Sequence, residues 1–147
     1  TLRIDGASLA HPAAVPLLRE CLRLSFAHVE VYGAAHHLSE CSDTELFQLR
    51  GLSKFVMVLH SSDDDAHDGA TGQAGSLQAS VAVGQRLARL AKVTVEVAPG
   101  EPSDGLREEL AAAWASGRLP PVTEAPRVVP RWTDHPTDFD AQPPESR

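Results

Sequence analysis

The sequence is short of cysteine and lysine. Its two cysteines, Cys21 and Cys41, form no C-x-x-C pair, so the spacing of a zinc ribbon or a dithiol redox motif is missing. Cys21 falls on the apolar side of an expected helix and reads as a buried thiol, while Cys41 in "HHLSEC" stands near two histidines and keeps metal ligation open. Lysine occurs twice, and a formal net charge of −7 leaves no basic face to neutralise phosphates, so nucleic acid is not an expected partner. No apolar run approaches the roughly 18 residues that span a bilayer, and no signal peptide opens the chain. The expectation is no membrane association and a cytoplasmic location. Scarce lysine beside abundant Ala, Arg, Gly and Pro is the composition of a GC-rich bacterial source.

What is present suits one globular domain. The 147 residues are 42% hydrophobic and 22% charged, enough for a single core. A short strand in "TLRIDGAS" ends at the Asp5-Gly6 turn, and a helix begins between Pro12 and Pro16, with Leu18, Cys21, Leu22 and Ser25 on one side. "AHVEVY", residues 27–32, alternates as a strand. Ser42 and Glu45 have capping-box spacing ahead of a helix from Asp43 to Arg50. "FVMVL", from Phe55 to Leu59, is continuously apolar, as a central strand covered on both faces would be. A long helix follows from Ser76 to Lys92, then the strand "VTVEV" from Val93 to Val97, then a helix after Ser103 that ends near Gly117. This alternation predicts an α/β domain over residues 1–118 with a small, mostly parallel four-stranded sheet and flanking helices. From Leu119 the pattern stops. Seven of the eleven prolines lie in residues 119–147, which read as an extended tail, with Trp132 or Phe139 as candidates for docking.

One stretch carries the candidate chemistry: "VMVLHSSDDDAHDGATGQAGSLQ". Parallel sheets bind ligands beyond the carboxyl ends of their strands, and His60 follows the central strand directly. His60, Ser61 and Ser62, with Gly72, Gly75 and Ser76 before the long helix, are the expected ligand-binding residues, because a glycine-rich turn lets backbone N–H groups approach a small anion. It is not a Walker loop, since Gly-Lys-Ser/Thr is missing. Asp63, Asp65 and Asp68 offer hard oxygen ligands and His67 a nitrogen, so a divalent cation is the candidate cofactor, although the spacing is not that of an EF-hand. The competing reading is a solvated, flexible loop. His36 and His37 follow the second strand and point to the same sheet edge, where at most one of two adjacent histidines joins a given site. No G-x-S-x-G elbow supports a serine nucleophile, and the sequence does not decide whether the protein is an enzyme.

A second class of function is an interaction module. The half-polar strands 27–32 and 93–97 suggest a thinly covered sheet face or edge strands, and the expected partner is a basic protein or a second copy of the chain. "LRIDGASL", the helix after it, Tyr32-Gly33 and "LSEC" at 38–41 resemble the barstar family of ribonuclease inhibitors, small acidic α/β proteins that plug a basic nuclease site. The likeness covers about the first forty residues. Ser39 and Glu40 stand where that family has tryptophan and aspartate, and a strand-like segment stands where it has a helix. The resemblance implies a non-catalytic inhibitor module with Glu40 and "HHLSE" on its contact face.

Overall fold

A computed structural model describes residues 2–5, 9–24, 28–101, 103–123 and 126–131. Five strands, β1 (Leu2–Asp5), β2 (Val29–Gly33), β3 (Lys54–Leu59), β4 (Thr94–Pro99) and β5 (Arg127–Val128), lie side by side in chain order, and every neighbouring pair is parallel. The α/β class is as expected, with β3 in the middle. The sheet has five strands rather than four. The fifth comes from the proline-rich stretch: Arg127 and Val128 pair with Glu96 and Val97, and Val129 N donates to Val97 O at 2.7 Å. Two residues are too few to alternate, so the free edge of β4 is what makes them a strand.

Among the described residues five α-helices connect the strands: α1 (Ala14–Arg23), α2 (Asp43–Phe47), α3 (Asp64–Thr71), α4 (Ser76–Arg86) and α5 (Asp104–Ala115). The capping box forms in both directions, Glu45 N to Ser42 Oγ and Ser42 N to Glu45 Oε1, each at 3.1 Å. The helix it starts ends at Phe47, short of Arg50. α4 continues as a π turn over Leu87–Ala91 and stops at Lys92, which adopts the left-handed conformation with φ 55°.

Parallel crossovers are right-handed, so strands in unbroken order place the helices on one face. On that face Val29, Val31, Phe55, Met57, Leu59, Val95 and Val97 share one core with Leu18, Leu46, Leu77, Val81 and Leu110. Leu119 and Val122 join it from beyond residue 118. The other face carries a small cluster of Tyr32, Val56, Ala98 and Val129, to which no described helix contributes. Beside it runs a ladder of charge. Glu30 lies 3.7 Å from Arg3 and 3.9 Å from Lys54, and Glu96 lies 2.9 Å from Lys54 and 3.8 Å from Arg127. Opposite charges on neighbouring strands thus compensate two buried carboxylates. The half-polar alternation of β2 and β4 therefore does not mark edge strands, since both are interior and the edges are β1 and β5. Among the described residues no helix is long and apolar enough to cross a membrane. Trp132 and Phe139 lie outside the described residues.

Gly84 sets the approach of α4 to β3. A Cβ there would lie 2.7 Å from Met57 Sδ and 3.0 Å from Val122 Cγ1, and both side chains are buried. Gly84→Ala gains about 1 kcal/mol in helix propensity, but overpacking a filled site costs about 1–3 kcal/mol. A net loss of stability in urea unfolding is expected, and a stabilised variant would contradict this packing.

Candidate functional site

The segment after β3, expected as a glycine-rich loop, contains α3. Asp63 caps it by accepting from Ala66 N at 2.9 Å, Asp64 and Asp65 occupy its first turn, and Gly72 closes it at φ 74°. Carboxylates at the positive end of the helix dipole favour this placement, and a left-handed glycine is the common stop signal. Only His67 of its residues is buried. With no apolar stripe, the helix leaves no periodic trace in the sequence.

The acidic residues therefore separate. Asp63 is a cap, Asp64 accepts from Gln78 Nε2 at 3.0 Å, Asp65 is exposed, and Asp68 turns toward α4. Asp68 accepts from Gly75 N at 2.7 Å, Leu77 N at 3.1 Å and Ser76 Oγ at 3.0 Å. Those donors, the Gly75 and Leu77 amides first, hold its carboxyl below the usual carboxylate range. Asp68 thus sits where the sequence suggests an external anion, and the positive φ of Gly72 (74°) and Gly75 (80°) serves the turn that brings it there. Asp63, Asp65, His67 and Asp68 do not converge on one point. Among the described residues no group of three or more His, Cys, Asp or Glu side chains is placed to hold a metal ion.

Ser61 and Ser62 are likewise engaged from within. Glu109 of α5 accepts from Ser62 N and Ser62 Oγ, each at 2.8 Å, and from Ser61 Oγ at 3.4 Å, while Arg118 donates to Ser62 Oγ at 3.1 Å. The Ser62 amide is the main cause that lowers the Glu109 pKa.

Three histidines gather behind these contacts. His67 Nδ1 lies 2.9 Å from Ser76 Oγ, which also lies 2.6 Å from Thr71 Oγ1 and gives its single proton to the Asp68 carboxylate, a group that can only accept. The Ser76 oxygen must then accept from His67, which puts the imidazole proton on Nδ1 and leaves Nε2 a bare lone pair. That Nε2 and His36 Nδ1 are buried with no hydrogen-bond partner among the described residues. His60 joins them, its ring centroid 5.6 Å from that of His67 and its ring pressed on Gly100, where a Cβ would fall 2.2 Å from Nδ1. Of the adjacent pair, His36 is buried and His37 exposed; they lie on the 3-10 turn Ala35–Leu38 rather than on a strand, and their ring centroids are 4.2 Å apart. Burial pushes His67 down to about 4 and also lowers His36 and His60, the last further opposed by the Arg131 charge. All three imidazoles are thus neutral near pH 7.

Arg131 and Glu109 were not legible as members of this region. Arg131 Nη1 donates to Gly100 O at 2.6 Å, beside the His60 ring, yet it belongs to a proline-rich stretch without pattern. Glu109 reads as an ordinary solvent-facing helix residue. Glu40, on the face implied by the barstar resemblance, is exposed, and Cys41 packs partly against the core. Comparison with protein-family models and with curated proteins finds no match to this chain.

The depressed histidines make stability depend on pH. The unfolded chain binds protons at an ordinary histidine pKa of about 6.5, whereas folded His67 resists protonation down to about 4. Stability is therefore full above pH 6.5 and falls as pH drops through that window, because the unfolded state binds more protons there. Asp68 and Glu109 lose their contributions only at lower pH, as carboxylates protonate. Urea midpoints measured from pH 7.5 to 4.5 should show this slope, and His67→Asn should flatten it. An unsloped wild type would contradict the buried, neutral cluster.

Proposed function

We propose that this chain is a ligand-binding or regulatory α/β domain whose site lies at the carboxyl edge of the sheet around His60. The observation that carries the reading is the packing of His60 on His67, with His36 close enough to act electrostatically on both, and two buried imidazole nitrogens without a hydrogen-bond partner among the described residues. Buried polar groups are nearly always hydrogen-bonded, so such a pair at a sheet edge favoured by ligands points to use. The favoured ligand is a small molecule with an anionic group. Arg131 supplies the cation beside His60, and neutral imidazoles can donate or accept next to it. A divalent cation is the less favoured ligand, because Asp63 and Asp68 are spent on helix ends and the acidic side chains of the segment do not converge.

A second reading, a module that binds a basic protein partner, rests on the exposed apolar side chains Leu17, Leu24 and Phe47 in and around α1 and α2. It is separable by experiment. Thermal unfolding should be followed with phosphate, nucleotides, Mg²⁺ and Zn²⁺, since a ligand bound only by the folded state raises its stability. Phosphate or a nucleotide is expected to raise the midpoint of the wild type more than that of His60→Ala or Arg131→Gln, the difference being the contribution of the site around His60. No shift with any probe would reject the ligand site, and a stoichiometric basic partner lost from Phe47→Asp would carry the second reading.

A further inference from the structure

A cavity of about 650 Å³ opens at the amino end of β4, the opposite end of the sheet from His60. It exists because β5 is short. Pairing of β5 with β4 begins at Glu96, so Thr94 and Val95 have no strand on that side among the described residues. Val97 accepts from Val129 on its β5 side, and alternation turns Val95 the same way, its carbonyl toward β5 at Arg127. The volume falls within the range of about 300–1,000 Å³ usual for small-molecule sites.

Its lining is of two kinds. Ala88 forms the apolar side, with Val93 and Val95 buried behind it, whereas Thr94 and Thr123 supply hydroxyls and Lys92 and Arg127 supply positive charge. Glu96 is the one carboxylate among the described lining residues, and Lys54, 2.9 Å away, compensates it from the charge ladder. Arg127 approaches Glu96 only to 3.8 Å and is 79% exposed, so its guanidinium retains donors for another group. Two cations beside this apolar side form a local positive site in a chain of net charge −7. Lys92 is also the one described non-glycine residue with positive φ, a conformation that glycine or asparagine adopts more easily. Chain turning alone thus gives no reason for lysine there.

We propose that this cavity binds a small organic anion, a carboxylate or phosphate monoester with an apolar body. The anionic group meets Lys92 and Arg127, and the body lies along Ala88 at the open edge of β4. The probes are benzoate and phenyl phosphate, with benzamide as the neutral control, titrated against the ¹⁵N-labelled chain. Both anions should shift the amides of Val93 to Glu96 saturably, and benzamide should not.

Lys92→Asn suits the left-handed backbone while removing the charge, and Arg127→Gln keeps the length of a polar side chain. Together they should weaken both anions at least about tenfold, the loss expected when charged hydrogen bonds are removed, with the rest of the amide spectrum unchanged. Equal affinity in that double variant, equal binding of benzamide, or shifts confined to the residues around His60 and Arg131 would overturn the proposal. His60→Ala should leave this binding intact, so the two sites fail or stand independently.

Discussion

Parallel pairing of five strands in unbroken chain order governs the rest of the molecule. Each strand must be followed by a return to the same starting edge, and the common hand of these returns puts the helices on one face. The β-to-α junctions then collect at the carboxyl edge. That is why His60, the turn over Ala35–Leu38 bearing His36, and the α3 start with Ser61 and Ser62 come together, although they are spread along the chain. The same constraint leaves the second sheet face without a described helix. Glu30 and Glu96 can be buried there because Arg3, Lys54 and Arg127 stand on the neighbouring strands at the same end.

At the carboxyl edge the protein supplies its own anions. Asp68 takes the donors at the start of α4, and Glu109 takes those of Ser61 and Ser62. A carboxylate already tethered in the fold loses no translational freedom on docking, which a free anion must lose. It therefore outcompetes a dilute external ion for the same donors. What remains available is the neutral histidine cluster with Arg131 at its rim, and this shifts the chemistry of the edge from glycine-loop amides to imidazoles. The Asp68–Ser76–His67 relay has a further effect: it fixes the His67 tautomer and aims an unprotonated nitrogen inward. At the amino edge the balance is different, because Lys92 and Arg127 line the cavity with one described carboxylate, Glu96, which Lys54 approaches to 2.9 Å and Arg127 to 3.8 Å.

The parts of this fold that were legible in the sequence are those specified by local pattern. The unbroken apolar run Phe55–Leu59 marked the central strand because both its faces are covered, and Ser42 with Glu45 marked a helix start because a capping box is made within four residues. The place of His60 followed from those two facts and the alternation of elements. α3 was not legible, because its stability comes from caps and from one buried histidine rather than an apolar stripe. β5 was not legible either, since two residues acquire strand geometry only from the β4 edge they meet.

The sequence by itself determined which residue types stand after the central strand: a histidine, two hydroxyls, three carboxylates, a second histidine with a fourth carboxylate, and glycines. It did not determine their partners. Whether Asp68 holds a metal or a helix end, and whether Ser62 meets a ligand or Glu109, depends on groups 7 to 47 residues away that approach only when the sheet and helices are packed. Hydrogen bonds and burial act over a few ångströms in space, and distance along the chain does not specify that separation. Tertiary structure alone decided that two carboxylates close their own sites, and that at this edge the buried polar atoms without a hydrogen bond among the described residues belong to His36 and His67.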